Sequence, residues 1–278
     1  MRRLETCIAT MSVAGTLREK IAAIADAGFD ALELYEPDLA ASGETPRNIA
    51  RMVADHGLRL ALLQPLRDFE GLPEPRRAQA FDAARRMFDL MGALEADLLL
   101  VCSSVAADAQ PEPARIAEDM AALGELASTH RIRVGYEALS WASHIRDHNQ
   151  AWNIVERCNR TNVGLILDSF QILAFGADVE PIRKMDGERI FHAQIADAPI
   201  FDIDRMTLSR RHRKLPGQGN LDLDLFMDAL RATTYNRLFS IEIFRDLQND
   251  LPRATESLAA LRYLLEGTSG RRQRPDII

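Results

Sequence analysis

The sequence contains few cysteines and no long apolar run. Its three cysteines, Cys7, Cys102 and Cys158, are far apart and form no Cys-x-x-Cys pair, so neither a disulfide framework nor a cysteine-based zinc site is expected. No segment reaches the roughly 20 apolar residues that a membrane span requires. Glu5 and Thr6 stand where a secretory signal peptide would carry its apolar core. These absences predict a cytoplasmic protein without a membrane partner.

An excess of positive charge is also lacking. The chain has 34 Lys and Arg against 41 Asp and Glu, a net charge of −7. Proteins that bind nucleic acids need a basic face to neutralise phosphates, so a nucleic-acid partner is not expected. The segment MSVAG (11–15), which follows the first predicted strand, has no G-x-G-x-x-G motif. Its absence disfavours the doubly wound, dinucleotide-binding sheet that is the alternative α/β architecture.

Short apolar runs alternate with amphipathic helical patterns along the 278 residues. The predicted strands are Leu4–Thr10, Ala31–Tyr35, Leu58–Leu63, Asp97–Cys102, Ile132–Glu137, Val163–Asp168, Ile190–Ile195 and Leu238–Ile243. The predicted helices are Leu17–Ala27, Pro46–His56, Arg76–Leu94, Pro113–His130, Asn149–Cys158, Phe170–Ala174, Leu223–Ala232 and Leu251–Glu266. Eight such units predict a single-domain (β/α)₈ TIM barrel over residues 1–267, with a disordered tail at 268–278.

Oxygen-bearing side chains stand at the ends of the four late strands, where barrel active sites lie. They are Glu137, Asp168, Gln194 and Glu242. Crowded carboxylates repel one another unless a cation lies among them, and ligation by oxygen alone is typical of Mg²⁺ or Mn²⁺. The alternative for each acidic residue is that it caps the helix that follows.

The segment 196–220 is predicted to be a long charged loop and contains SRRHRK (209–214). Arg67, Arg210, Arg211 and Arg213 are candidates for binding an anionic substrate, because guanidinium groups bind carboxylates bidentately. The alternative is a solvated run of charge. His192 shares a strand face with Gln194 and is expected to lie beneath the site.

Several segments resemble bacterial 3-dehydroshikimate dehydratases of the xylose isomerase-like TIM-barrel superfamily. They are GYEALSWASHIRDHNQAW (135–152), NVGLILDSFQILA (162–174), RIFHAQIADAP (189–199), LFSIEIF (238–244) and LRDFEG (66–71). The resemblance runs from the first strand to about Glu266. Some of these relatives carry a further oxygenase-like domain, and this sequence is expected to hold the barrel alone.

The resemblance implies metal-dependent dehydration of 3-dehydroshikimate to protocatechuate, a step of quinate and shikimate catabolism. Glu137, Asp168, Gln194 and Glu242 match metal-binding positions, with Mg²⁺, Mn²⁺ or Co²⁺ as the cofactor acting as a Lewis acid on a developing enolate. Arg67, Ser209 and Arg213 match substrate-binding positions, so the expected ligand is a small anionic cyclic keto-acid. A homo-oligomer is possible, and its size is left open.

One position departs from the resemblance: Gln171 stands where the relatives commonly have histidine. Glutamine cannot titrate, so His144, in W-x-x-H, becomes the candidate base. The catalytic residues are therefore expected to be His144, Glu137 and Gln171.

Three alternatives remain at this point. A keto-sugar or inosose isomerase, epimerase or dehydratase would use the same metal site, with Glu137 and Glu242 shuttling a proton. A DNA-repair endonuclease is disfavoured by the acidic charge and by only six histidines, none of them at the four strand ends. A non-catalytic binding protein stays open because of Gln171.

Overall fold

The computed structural model describes residues 4–244 and 251–267, which form a closed barrel of eight parallel strands in chain order. The strands are β1 Thr6–Ala9, β2 Ala31–Tyr35, β3 Arg59–Leu66, β4 Leu98–Cys102, β5 Arg133–Glu137, β6 Val163–Asp168, β7 Ile190–Ile195 and β8 Phe239–Ile241. Strand β8 pairs with β1 and closes the barrel. The predicted single-domain (β/α)₈ fold is confirmed, while the predicted tail 268–278 lies outside the described residues.

Helices surround the barrel. They are α1 Leu17–Ala27, α2 Glu36–Ser42, α3 Pro46–Asp55, α4 Arg76–Leu94, α5 Pro113–Thr129, α6 His148–Cys158, α7 Ser169–Leu173, α8 Arg205–Arg211, α9 Leu223–Arg231 and α10 Ala254–Gly267. Short 3₁₀ turns cover Thr10–Ser12, Glu180–Lys184 and Gly187–Arg189. Among residues 4–244 and 251–267, none of these helices combines the length and the apolarity that crossing a bilayer takes.

The prediction that 196–220 is a plain loop was wrong. Helix α8 forms within it because the Asp204 side chain accepts a hydrogen bond from the Thr207 N–H at 2.9 Å, which caps the first turn. Arg210 and Arg211 occupy the last turn, where positive charge interacts favourably with the helix dipole. The helix is short and rich in charged residues, so its sequence shows no apolar periodicity that would predict a helix. Helix α2 was also missed, because seven residues give too little periodicity to detect.

Successive strand residues face opposite sides of the barrel wall, as the two-residue period of a strand requires. Leu99 and Val101 of β4 belong to the main core between strands and helices. Leu98 and Leu100 pack inside the barrel with Ile166 of β6. The inside is therefore apolar at the beginnings of the strands, and its polar residues lie towards their ends.

A buried carboxyl group lies outside the barrel wall. Glu70 Oε1 accepts hydrogen bonds from the Ser104 N–H at 2.6 Å and from the Tyr136 hydroxyl at 2.9 Å. Glu70 Oε2 has no hydrogen-bond partner within the described ranges. Burial raises the pKa of Glu70 to about 7, although these hydrogen bonds oppose the rise.

Glu70 is expected to make the free energy of unfolding depend on pH. Between pH 4.5, the ordinary pKa of glutamate, and pH 7 the folded protein retains a proton that the unfolded chain has lost. The free energy of unfolding should therefore fall across this window, by about 3 kcal/mol in total at 1.36 kcal/mol per pKa unit. Glu70→Gln stays neutral and keeps an acceptor, so it should be more stable than the parent at pH 8.

Urea unfolding at pH 5 and pH 8 measures this effect. Glu118→Gln is the matched control because Glu118 is an exposed glutamate of α5. An unchanged pH dependence in the Glu70→Gln protein would contradict the prediction.

Candidate functional site

The structure brings together the four residues predicted from the strand ends. Glu137 ends β5, Asp168 ends β6 and Gln194 lies one residue before the end of β7. Glu242 directly follows β8, which is shorter than predicted. Carboxylate oxygens of Glu137, Asp168 and Glu242 lie within 4.8 Å of one another, and Gln194 Nε2 donates to Glu242 Oε1 at 3.0 Å. All four side chains are buried. Their role as metal ligands stays a prediction.

Burial dominates the titration of the three carboxyl groups. It raises the pKa of Glu137 well above the ordinary value, and the neighbouring charges of Glu242 and Asp168 raise it further. Burial also raises the pKa of Asp168 and brings that of Glu242 to about 7, while the positive charge of Arg213 opposes both shifts. In the absence of a further cation, the cluster therefore favours uptake of a proton near neutral pH.

Arg213 is the positive charge that the structure places against this cluster. Its Nη2 lies 2.7 Å from Asp168 Oδ2 and its Nη1 lies 2.9 Å from Glu242 Oε2. The guanidinium carbon lies 4.3 Å from the centre of the Phe170 ring, and the residue is only 2% exposed. The alternative of a solvated charge is wrong for Arg213. A substrate carboxylate would have to share these nitrogens with Asp168 and Glu242, and the binding role of Arg213 stays a prediction.

The backbone on either side of the charged segment is fixed to the end of β7. Asp197 and Lys214 form an antiparallel bridge, with two N–H···O bonds of 2.9 and 2.7 Å. The Asp197 side chain accepts hydrogen bonds from the N–H groups of Gly217 and Gly219 at 3.1 and 2.9 Å. A Cβ atom at Gly219 would overlap Asp197 Oδ1, so only glycine fits there. This clamp sets the position of the neighbouring Arg213.

The other two predicted substrate-binding residues lie at the same end of the barrel. Ser209, on α8, is buried, and its Oγ lies 3.4 Å from Arg213 Nη2. Arg67 is exposed and directly follows β3. Burial raises the pKa of Glu137, and Arg67 is among the positive charges that oppose this rise. Of the three predicted substrate-binding residues, Arg67 is thus the one whose side chain is exposed.

His144 and Gln171 contact backbone groups of neighbouring loops. His144 Nε2 lies 2.7 Å from the Ala109 carbonyl oxygen. Gln171 Oε1 accepts a hydrogen bond from the Ser140 N–H at 3.0 Å. In the part of the chain that is described, no hydrogen bond links His144 to the carboxylate cluster. The catalytic roles of both residues stay predictions.

A family model described as "Xylose isomerase-like TIM barrel" matches residues 21–266, most of the chain. The chain belongs to the xylose isomerase-like TIM barrel family. This agrees with the fold and with the superfamily that the sequence resembles.

Two curated proteins and one solved structure are similar to this family member. The 3-dehydroshikimate dehydratase of Pseudomonas aeruginosa (strain PAO1) is 44% identical over 274 residues, which are 98% of this chain and 43% of that protein. The inosose isomerase of Bacillus subtilis (strain 168) is 35% identical over 127 residues, 44% of each protein. A structure described as a "xylose isomerase-like TIM barrel/4-hydroxyphenylpyruvate dioxygenase fusion protein" aligns with a TM-score of 0.94 and 43% identity, covering 96% of this chain and 43% of that one. The chain spans less than half the length of the Pseudomonas dehydratase and of the fusion protein.

This xylose isomerase-like barrel also contains an interior carboxylate that the sequence reasoning missed. Glu33, in the middle of β2, is fully buried. It accepts hydrogen bonds from Gln64 Nε2 at 2.6 Å and Gln194 Nε2 at 2.8 Å, and its Oε1 lies 2.9 Å from His192 Nε2. His192 therefore lies inside the barrel next to Gln194, as expected. A charged residue within the apolar run ALELY was the available signal for Glu33.

Proposed function

We propose that this chain converts 3-dehydroshikimate to protocatechuate and water, with a divalent cation as cofactor. The observation that carries the proposal is the 44% identity to the Pseudomonas dehydratase over 98% of the chain. That stretch includes nearly every strand and loop of the barrel. The converging carboxylates at the C-terminal ends of the strands support the same conclusion, because they provide a site for a cation.

The donor atoms of Glu137, Asp168, Gln194 and Glu242 are of the kind that binds a divalent cation. Three carboxylates are crowded within 4.8 Å, and a cation would relieve their repulsion. Gln194 Oε1 is buried and accepts no hydrogen bond from the described residues. Leaving such an oxygen unsatisfied costs about 1–3 kcal/mol, and a cation would satisfy it. Oxygen donors suit Mg²⁺ or Mn²⁺, with Co²⁺ as a further candidate.

Glu137, Asp168, Gln194 and Glu242 would hold the divalent cation, which would supply Lewis-acid chemistry at the substrate's ketone oxygen. A base of the protein removes the proton from the carbon next to the ketone. Hydroxide leaves from the next carbon. The proton and hydroxide together make the water lost, and the ring becomes aromatic after tautomerisation.

The protein's own residues then have distinct roles in this proposal. Arg67, accessible at the mouth, binds the substrate carboxylate, with Ser209 and Arg213 beside it. Arg213 also holds Asp168 and Glu242 in place through its two ion pairs. Gln171 has its oxygen engaged by Ser140, so its amide N–H groups are what it offers to a substrate oxygen.

The test is incubation of the purified protein with 3-dehydroshikimate after dialysis against a chelator. Addition of Mg²⁺, Mn²⁺ or Co²⁺ is expected to produce the ultraviolet absorbance of a catechol, with protocatechuate identified by chromatography. No product with any of the three ions would overturn the proposal. The same samples with an inosose test the second candidate, isomerisation of a cyclic keto-sugar, which the similarity to the Bacillus inosose isomerase favours.

His144 is the proposed base. Because its Nε2 faces a carbonyl oxygen, that nitrogen carries a proton and Nδ1 is the ring atom able to accept one. His144→Ala is expected to lower kcat by about 10²–10⁴-fold, the usual contribution of a general base. Metal affinity should stay unchanged.

His144→Gln is the matched control for this prediction. Glutamine can keep a donor at the Ala109 carbonyl but cannot take up a proton. Equal loss of kcat in both variants supports proton transfer by His144. Full activity of the glutamine variant would show that His144 only holds the loop in place through its hydrogen bond to Ala109. Gln171→His would then be the variant to test for a gain of activity.

A further inference from the structure

Glu33 is a fully buried carboxylate to which no step of the proposed reaction assigns a role. It lies on β2, whereas Gln194 and His192 lie on β7, so its hydrogen bonds cross the inside of the barrel. Gln64 of β3 provides the third contact, at 2.6 Å. Three contacts from three side chains hold the carboxylate in one position.

The contact with Glu33 determines which end of the Gln194 amide is held by hydrogen bonds and which end is left free of them. Gln194 Nε2 donates both to Glu33 Oε2 at 2.8 Å and to Glu242 Oε1 at 3.0 Å. A reversed amide would place its oxygen against two carboxylate oxygens, all of them acceptors, which is repulsive. The amide nitrogen is therefore held between Glu33 and Glu242. The amide oxygen is the atom left without a hydrogen-bond partner among residues 4–244 and 251–267.

This orientation matters for a cation because an amide nitrogen is only a donor, whereas the amide oxygen has lone pairs. Glu242 cannot fix the orientation by itself once a cation competes for its oxygens. Glu33 is outside the set of four proposed ligands, so a cation bound there would not compete for its hydrogen bond to Gln194.

We propose that Glu33 is a positioning residue that holds the Gln194 amide with its oxygen available to a divalent cation. This inference rests on the proposed function, since it assumes that Gln194 is a ligand. Residues that orient metal ligands from outside the ligand set change metal affinity by about 10–100-fold when they are replaced. Glu33→Gln presents an N–H group to donors and should therefore raise the Kd for Mn²⁺ by about that factor.

A double-mutant cycle with Mn²⁺ alone as the probe tests the proposal. Kd is measured from the electron paramagnetic resonance signal of free Mn²⁺ for the parent, Glu33→Gln, Gln194→Ala and the double variant. Action through Gln194 predicts that Glu33→Gln changes Kd less than about twofold once Gln194 is alanine. An equal change in both backgrounds would mean that Glu33 acts only through its charge or through folding, and the proposal would be wrong.

Further variants keep the outcome decisive. Glu33→Asp keeps the charge but retracts the acceptor, so it should weaken Mn²⁺ binding even if Glu33→Gln fails to fold. Glu118→Gln, an exposed change, should leave Kd unaltered.

Two other results distinguish this inference from the proposed function. A parent protein that binds no Mn²⁺ and forms no product with Mg²⁺, Mn²⁺ or Co²⁺ would overturn both. A parent that binds Mn²⁺ with the same Kd as its folded Glu33 variants would overturn the positioning role alone. An anomalous-scattering peak for Mn²⁺ between Cys7, Glu33 and His192, whose ligand atoms also lie within 4.8 Å, would likewise exclude it.

Discussion

Glu137→Gln is expected to abolish turnover of 3-dehydroshikimate while leaving the barrel folded. Loss of a proposed metal ligand is expected to remove several kcal/mol of transition-state stabilisation, which corresponds to about 10³-fold in rate. The metal-free protein should become more stable at pH 8. Burial and two neighbouring carboxylates raise the pKa of Glu137, so its ionised form is unfavourable in the folded state above pH 4.5, the ordinary value. Glutamine has the same shape and no charge.

The measurement combines kcat/KM with urea unfolding in the presence of a chelator. Glu118→Gln should match the parent in both. A Glu137→Gln protein that turns over substrate at the parent's rate would remove Glu137 from the catalytic machinery. A variant that is inactive but also less stable would indicate that the carboxylate is needed for folding instead.

Arg213→Gln is expected to have the largest effect on stability. It removes the cation that pairs with Asp168 and Glu242. Breaking one side of a buried ion pair costs about 3–5 kcal/mol, because the remaining charges stay buried without compensation. Mn²⁺ should restore part of this loss, since a bound cation supplies positive charge at the same carboxylates. The increase in Tm on adding Mn²⁺ should therefore be larger for the variant than for the parent.

Arg211→Gln is the control, because Arg211 is an exposed residue of the same segment. It should leave Tm and its response to Mn²⁺ close to those of the parent. An Arg213→Gln protein that unfolds at the parent's temperature in chelator would show that the ion pairs contribute little to folding. Arg213 would then return to its predicted role of binding the substrate carboxylate.

The convergence of Glu137, Asp168, Gln194 and Glu242 was predictable because it follows from one rule of topology. In a parallel barrel all strands end on the same face. Polar residues at the strand ends therefore lie close together, independently of how the helices pack. The sequence positions of the strands were enough to apply the rule. The shortened β8 did not matter, since Glu242 still lies at that end.

Contacts across the barrel were not predictable in the same way. The two-residue period tells which strand residues point inwards, and it placed His192 on the face of Gln194. It does not tell which inward residues of non-adjacent strands touch each other. The contact between Glu33 and Gln194 joins residues 161 positions apart in the sequence. Likewise, the burial of Arg213 depends on the clamp at Asp197, and the composition of 209–214 indicated only charge.

The clamp between Asp197 and Lys214 has a consequence for how this barrel can diverge. Both ends of the segment 198–213 are held by paired backbone bonds, and the closure entropy of a loop grows only slowly with its length. Residues early in this segment, such as Ile200 and Phe201, are largely exposed. Insertions or deletions there would leave Arg213 and the strand of Gln194 in register. Changes in the length and composition of these early residues can therefore alter which molecules enter the barrel mouth, while Arg213 and the carboxylate cluster keep their positions.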